Sequence, residues 1–516
     1  MLRLASAVLL LLVVGLPTTN TIAASLTDST RIVGGVGSDQ VGRLFSSTPH
    51  APSSQPTTVS YWGMNLYMSK GDRVRTGDNV SQMIDMAIDA GVQWTREEMA
   101  WDVVEPRSNK FVPVYDKHMR VAASKGLGVI GMLLTTPEWA RDPTCRPTRE
   151  AYWCPPADPQ EFAKFAAWMV ERYDGDGYKD AIGSPRVAAW EIWNEPNDVG
   201  NWPDIGADSS ARKRRYGEML VAAYKAIKDA DPSAIVLVGG EYVFDGGCNH
   251  NLCDGINFLG GRDGAFQQVP AARKAFDVFS SHPYASPTPP DAPWLPGKVL
   301  IEGTSRATRA WLNSPSVGRP DAPIWITELG WCTAPGACPG AIPVTEEQQA
   351  NYLIRALVIA QQNGVRHTSW FQFDDAFNDP NRMWSQGAIV RDYDGTGYPP
   401  KPAYFAYHTL ANTLRDAAVV DPGPVNTHVY DPRRLYTNTG GTYDYRYQRG
   451  ATIIDVLWRP TDRFQVAFPV VRGKPVTLVE PDGKQTPLTP IRGQVQLTLS
   501  ERPLILVQGE AAAPSA

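Results

Sequence analysis

The stretch VAAWEIWNEPN, Val187 to Asn197, decides how the rest of the chain is read. It opens as a short apolar run of the kind a strand buried on both faces needs. It then delivers Asn194 and Glu195 immediately before Pro196, whose missing N–H ends a strand ladder. A carboxylate is thus placed at the C-terminal end of a strand, where barrels and open α/β sheets gather their functional groups. IWITELGW, Ile324 to Trp331, repeats the arrangement with Glu328 at the end of a second apolar run. Two carboxylates on two similar strand ends predict a facing pair.

Outward from these two stretches, eight apolar segments alternate with helical periodicity. Strands are expected at Tyr61 to Met68, Gln93 to Trp101, Gly128 to Thr135, Val187 to Asn194, Ile235 to Gly240, Val278 to Pro283, Ile324 to Glu328 and His367 to Phe373. Between them Val80 to Ala90, Pro159 to Tyr173, Ala211 to Ala230 and Glu346 to Asn363 repeat apolar residues at helix spacing. Asp158 before Pro159, and Thr345 before two glutamates, are candidate N-caps. Eight strand–helix alternations predict an α/β (β/α)8 TIM barrel. A doubly wound sheet is the alternative, but no Gly-rich phosphate loop follows the first strand. The helix Pro402 to Leu414 closes the barrel. After Asp421-Pro422 the pattern changes to short alternating strands, from Thr442 to Gln448 through Pro503 to Gln508, which predicts a small C-terminal β-sandwich. Its Trp458 is the one candidate ring platform, although a single strand Trp is more often core.

The 516 residues, 43% apolar, suffice for a large barrel with an appendage. A formal net charge of −5 provides no basic footprint for nucleic acid. The run Arg212 to Arg215 is read as a solvated helix face. Sixteen Trp and twenty Tyr suit the stacking of flat rings on apolar ligand faces, and equally a large core. Arg3, an apolar run from Leu4 to Leu16 and a small-residue site after Ala24 form a signal-peptide layout, so export without stable membrane insertion is expected. The expected organisation is therefore a signal peptide at 1–24, a flexible leader at 25–58, the barrel at 59–418, the sandwich at 419–510 and a tail at 511–516. Six cysteines fall in three close pairs, Cys145 and Cys154, Cys248 and Cys253, Cys332 and Cys338, and within-pair disulfides are the simplest pairing for an exported chain. Each pair follows a strand, so the bridges would pin loops on the face that carries the two glutamates. No CxxC pair is present, and neither a metal site nor a cofactor is expected.

WNEPN around Glu195 and ITELGW around Glu328 resemble the acid/base and nucleophile signatures of the clan A retaining glycoside hydrolases. Family thirty-nine comes closest in this reading, with families five and thirty as neighbours, over roughly residues 58 to 510. The resemblance implies a (β/α)8 barrel that hydrolyses β-linked oligo- or polysaccharides by double displacement, with Glu195 as acid/base and Glu328 as nucleophile. It also implies substrate-site roles for several neighbours. Arg96 matches the arginine that keeps the nucleophile ionised, while its position equally suits neutralising the deeper Glu191. Asn194 matches a ligand of the sugar's 2-hydroxyl. His282 and Tyr284 match the position of a partner to the nucleophile. Trp370 would floor the sugar site, though the alternation of WFQF leaves open whether Trp370 or Phe371 faces in, and Trp139 and Trp331 are loop candidates for further subsites. The alternatives are an exo-acting β-xylosidase or β-glucosidase, a transglycosidase, and a non-catalytic carbohydrate-binding barrel.

Overall fold

The computed structural model describes residues 59–69, 77–206, 208, 210–241, 255–292, 301–334, 342–375, 387–391, 398–430 and 441–509. The signal-like run, the leader, the tail and the cysteines 248, 253 and 338 lie outside them. Eight parallel strands form one sheet: β1 (Trp62–Asn65), β2 (Trp94–Ala100), β3 (Gly128–Leu134), β4 (Ala189–Asn194), β5 (Ile235–Gly240), β6 (Phe279–Ser281), β7 (Ile324–Ile326) and β8 (Val365–Trp370). β1 pairs with both β2 and β8, and parallel bridges from Leu237 to Val278 and from Glu241 to Ser281 bring β5 against β6. The result is the expected TIM barrel.

The helices that wrap it are built from the signals read in the sequence. Pro159–Arg172 starts with the Asp158 side chain accepting from Gln160 N–H, and Pro159 occupies the first turn, where its missing donor costs nothing. Glu346–Gln362 starts with a reciprocal capping box between Thr345 and Gln348. Ala211–Ala230 and Pro402–Leu414 have the expected bounds. Apolar faces of these helices pack on the outside of the barrel, where Trp62, Met99, Leu133, Trp190, Ile192 and Ile326 belong to one continuous core.

The C-terminal region is antiparallel. One sheet has the order β14-β13-β16-β11-β10-β9, and β12 pairs with β15 alone. Their ranges are β9 Ala418–Val419, β10 Tyr443–Arg449, β11 Thr452–Trp458, β12 Phe464–Pro469, β13 Val476–Val479, β14 Gln485–Leu488, β15 Gln494–Leu499 and β16 Leu504–Gln508. Leu457, Phe468, Val495, Leu497, Leu499 and Leu506 fill the space between the sheets. β9 and β14 are additions to the sequence reading; the first has two residues and the second contains Pro487, so neither has a strand's pattern. Trp458 is no ring platform. It is fully buried, stacks on Tyr443 at 4.7 Å, and donates its indole N–H to Asp291 of the barrel at 2.6 Å.

Candidate active site

The local fold at the end of β4 delivers more than alternation would. Glu191 points into the barrel, and strict period-2 geometry would send Trp193 inward and Asn194 out. Trp193 instead adopts φ 75°, a conformation in which L-residues are strained. Its indole packs edge-on to Trp202 at 4.8 Å and donates to Asn201 O, while the pairing of β4 with β5 skips from Ile192 to Asn194. Asn194 is thereby turned toward Arg96, and Glu195, itself at φ 47°, follows it into the barrel mouth.

There the two glutamates meet. One carboxylate oxygen from each of Glu195 and Glu328 and a ring nitrogen of His282 all lie within 4.8 Å of one another. Glu328 is held by two donors, Arg96 Nη1 to Oε1 at 2.6 Å and the Tyr284 hydroxyl to Oε2 at 2.7 Å. Glu195 has a different shell: His282 Nδ1 is 2.7 Å from Oε1, and Asn201 Nδ2 donates to Oε2 at 3.0 Å. His282 therefore partners Glu195 rather than Glu328, whose Oε2 is 3.8 Å away. Tyr284 alone takes the partner position that the resemblance offered to both.

Arg96 serves both of its candidate purposes. Its Nε bonds Glu191 Oε2 at 2.5 Å, Nη1 bonds Glu328, and Nη2 bonds Asn194 Oδ1 at 2.8 Å. A guanidinium only donates, so it must meet the Asn194 oxygen, which leaves the Asn194 amide as the donor available to a ligand. Burial works against the Arg96 cation, but Glu191 and Glu328 outweigh it and raise its pKa above the ordinary value. Burial raises both Glu195 and Glu328. On Glu328 the Arg96 charge and the Tyr284 and Arg96 hydrogen bonds oppose it; on Glu195 the His282 ring opposes it only in the tautomer that donates through Nδ1.

The aromatic residues are redistributed. Trp370 and Trp331 stack on each other with centroids 5.8 Å apart and are fully buried, Trp331 with its indole N–H on Thr288 O. Neither presents a face to a ligand, which corrects both expectations. Phe371 is the residue of WFQF that faces in, half-buried and edge-on to Tyr284 and Tyr67 at 6.4 and 5.7 Å. Trp139 keeps a partly exposed ring, with its N–H tied to Glu105 O at 3.0 Å. Of the neighbouring acids, Glu97 is occupied by Met68 N–H and the Thr95 hydroxyl, and Asp375, which burial pushes up to about 6, is ion-paired with Lys401 at 3.0 Å.

Sequence reasoning missed the clamp on the loop after β4. Arg212 is not on a solvated face: it is 1% exposed and donates to the carbonyls of Pro196, Asn197 and Trp202. The signal was available, because Arg212 lies on the same stripe as the buried Tyr216, Leu220, Ala223 and Ile227. Asn201 in that loop accepts from Arg149 Nη1 at 2.7 Å, which fixes its amide with the NH2 toward Glu195. Arg149 lies inside the loop closed by the Cys145–Cys154 disulfide, so that bridge restrains a residue two hydrogen bonds from Glu195. Cys332 is also disulfide-bonded.

Glu195, His282 and Glu328 have ligand-type atoms close enough for a cation, but Arg96 already supplies the positive charge at this point and Tyr284 and Asn201 occupy carboxylate lone pairs. A second acidic group, Asp174, Asp176 and Asp180, lies before β4, at the opposite end of that strand from Glu195. No helix among the described residues is long and apolar enough to cross a membrane.

Comparison with known proteins agrees with this architecture. The chain is 24% identical over 291 residues to a beta-xylosidase from Geobacillus stearothermophilus, a match that spans 53% of this chain and about half (50%) of the relative. Its fold is similar to that of a family 39 glycoside hydrolase from the gut symbiont Bacteroides cellulosilyticus WH2, with TM-score 0.63 and 18% identity over 88% of this chain and 81% of that one. It is also similar to a GH30 endoxylanase from Clostridium papyrosolvens C71, with TM-score 0.51 and 12% identity over 84% and 93%. The family model for Cellulase (glycosyl hydrolase family 5) matches residues 54–374, well over half of the chain, and the protein therefore belongs to that family of clan A glycoside hydrolases.

Proposed function

We propose that this glycoside hydrolase is an exported, retaining β-glycosidase that cleaves β-linked oligo- or polysaccharides by double displacement. The observation that carries the reading is the spacing of Glu195 and Glu328, with carboxylate oxygens within 4.8 Å of each other. Retaining enzymes hold their two carboxyls about 5–5.5 Å apart, whereas inverting enzymes need roughly 6.5–9.5 Å to admit a water between them.

In the first step Glu328 Oε1 or Oε2 bonds the anomeric carbon while Glu195 gives its proton to the departing glycosidic oxygen. In the second, Glu195 takes a proton from water, whose oxygen displaces Glu328 and releases the sugar. The surroundings divide the roles. Glu328 faces a fixed cation and a hydroxyl donor, which favour a charged nucleophile. Glu195 is met by the Asn201 amide and the His282 ring rather than by a guanidinium, and burial favours its neutral form. Asn194 is oriented to donate to a sugar hydroxyl, and Phe371 provides a ring face beside the nucleophile.

Export rests on the signal-like N-terminus and on the Cys145–Cys154 bridge, since such bridges persist in oxidising compartments. The beta-xylosidase relative favours xylose-configured substrates and makes exo-acting cleavage the second reading. The deciding experiment follows hydrolysis of aryl β-xylosides, aryl β-glucosides and xylan by proton NMR. The first-formed product should be the β-anomer. An α-anomer appearing first would replace the double displacement with a single inverting one.

A further inference from the structure

The contacts around His282 determine which ring nitrogen carries its proton, and through that the proton on Glu195. Glu191 Oε2 is ion-paired with Arg96 Nε at 2.5 Å, and Glu191 Oε1 lies 2.9 Å from Thr327 Oγ1 and 2.7 Å from Ser280 Oγ. A carboxylate paired with a guanidinium only accepts, and Thr327 has a single hydroxyl proton, so that proton points to Glu191. The lone pairs left on Thr327 Oγ1 face His282 Nε2 at 3.0 Å, which requires a hydrogen on Nε2. A neutral imidazole has one N–H. Its Nδ1 is then a bare lone pair, 2.7 Å from Glu195 Oε1, and that contact is a hydrogen bond only when Glu195 carries a proton.

The packing leaves the ring little choice. Glu191 and Glu195 face it from β4, Arg96 from β2, and Thr327 and Glu328 from the end of β7, while Tyr284 lies edge-on from its own segment. β5 presents Gly240, where an added Cβ would lie 2.0 Å from His282 Nε2, and the Glu241 carbonyl accepts from the backbone N–H of His282. Burial lowers the pKa of His282 and raises that of Glu195, and both directions favour a neutral ring beside a protonated acid.

We propose that Thr327 is a positioning residue that links Glu191 to His282, holding the imidazole in its Nε2–H tautomer so that Nδ1 accepts from Glu195 and keeps the general acid protonated. The proposal rests on Glu195 being the acid/base. When Glu195 has given its proton to the leaving oxygen, its carboxylate faces the Nδ1 lone pair, which makes it a stronger base toward the incoming water. The proton leaves with the aglycone and is replaced from that water, so His282 ends each turnover in the tautomer in which it began.

The test is the alkaline limb of the kcat/KM profile on a substrate with a poor leaving group, where the acid must be protonated. Thr327→Val removes the link and frees the ring to carry its proton on Nδ1, donating to a charged Glu195. The limb should move to lower pH by about one unit, and Thr327→Ser, which keeps the hydroxyl, should restore it. In 15N-histidine spectra His282 should show a protonated Nε2 and a bare Nδ1 in the wild type, reversed in Thr327→Val. A folded Thr327→Val with the wild-type limb overturns the proposal. So does an Nδ1–H tautomer in the wild type, which decides the matter even if the Val variant does not fold. Glu195→Gln separates the two levels. If it retains the alkaline limb, the acid assignment itself fails; if it loses the limb while Thr327→Val leaves it in place, only the link through Thr327 fails.

Discussion

Two buried arginine–carboxylate groups can be set side by side, one in the barrel mouth and one under the sandwich. Beneath the sandwich, Arg355 of the helix Glu346–Gln362 binds Asp291 through Nε at 3.0 Å and through Nη2, and Trp458 adds its indole N–H. One cation meets one anion, and both side chains are at most 1% exposed. In the mouth, Arg96 is shared between Glu191 and Glu328, so the charges do not cancel, and the Glu328 side chain keeps 9% of its surface. The same ingredients thus give a closed joint in one place and an anion in excess, with an open edge, in the other. A reactive carboxylate needs the second arrangement, and stability is best served by the first.

Removing the charge at the open group should therefore have the largest effect on turnover and little on folding. Glu328→Gln keeps the shape of the side chain, and kcat on an aryl β-glycoside should fall on the order of 10⁴-fold or more. Its melting temperature should hold or rise, because the crowded pocket loses a negative charge. A melting temperature many degrees lower, with activity retained, would place Glu328 with Asp291 as a joint rather than a nucleophile. Glu195→Ala comes next. On substrates with poor leaving groups its rate should drop by about 10²–10⁴-fold, the contribution of a general acid, while substrates with good leaving groups should be glycosylated at close to the wild-type rate. Equal losses on both kinds of substrate would deny Glu195 the acid role.

Much of this contrast was legible in the sequence where a residue's local pattern and its function coincide. Glu195 and Glu328 each end an apolar run, and a strand end in a barrel has a known orientation. Arg96 was legible for the same reason. The shell that tunes these groups was less so, because it comes from distant loops and from broken alternation. Asn201 and Arg149 are joined across 52 positions by a hydrogen bond, and no periodicity announces it. Phe371 displaced Trp370 because the ring that faces in is set by the end of β8, where pairing has stopped, rather than by the larger side chain. Arg212 was hidden by its neighbours: three further basic residues disguised a position on the buried stripe of its helix. In the sandwich, alternation located six strands, whereas β9 and β14 have too few residues or a proline and are held by their partners.

The closed joint offers the smallest effect and the sharpest control. Trp458→Phe keeps the ring stacked on Tyr443 but removes the donor to Asp291, one of the three hydrogen bonds that fill that carboxylate. A hydrogen bond to a charged group contributes about 1.5–3 kcal/mol, so denaturant or thermal unfolding should show a loss within that range. The Arg355 ion pair remains, so the loss should stay below that of breaking the pair itself, about 3–5 kcal/mol. Asp291 lies in the segment that follows β6, seven positions after Tyr284, yet Trp331 holds the same segment independently at Thr288. The kcat/KM per folded molecule should for that reason match the wild type. A fall in kcat/KM at full folding would mean that the joint positions Tyr284, and that the two arginine groups act on one another instead of dividing reactivity from stability.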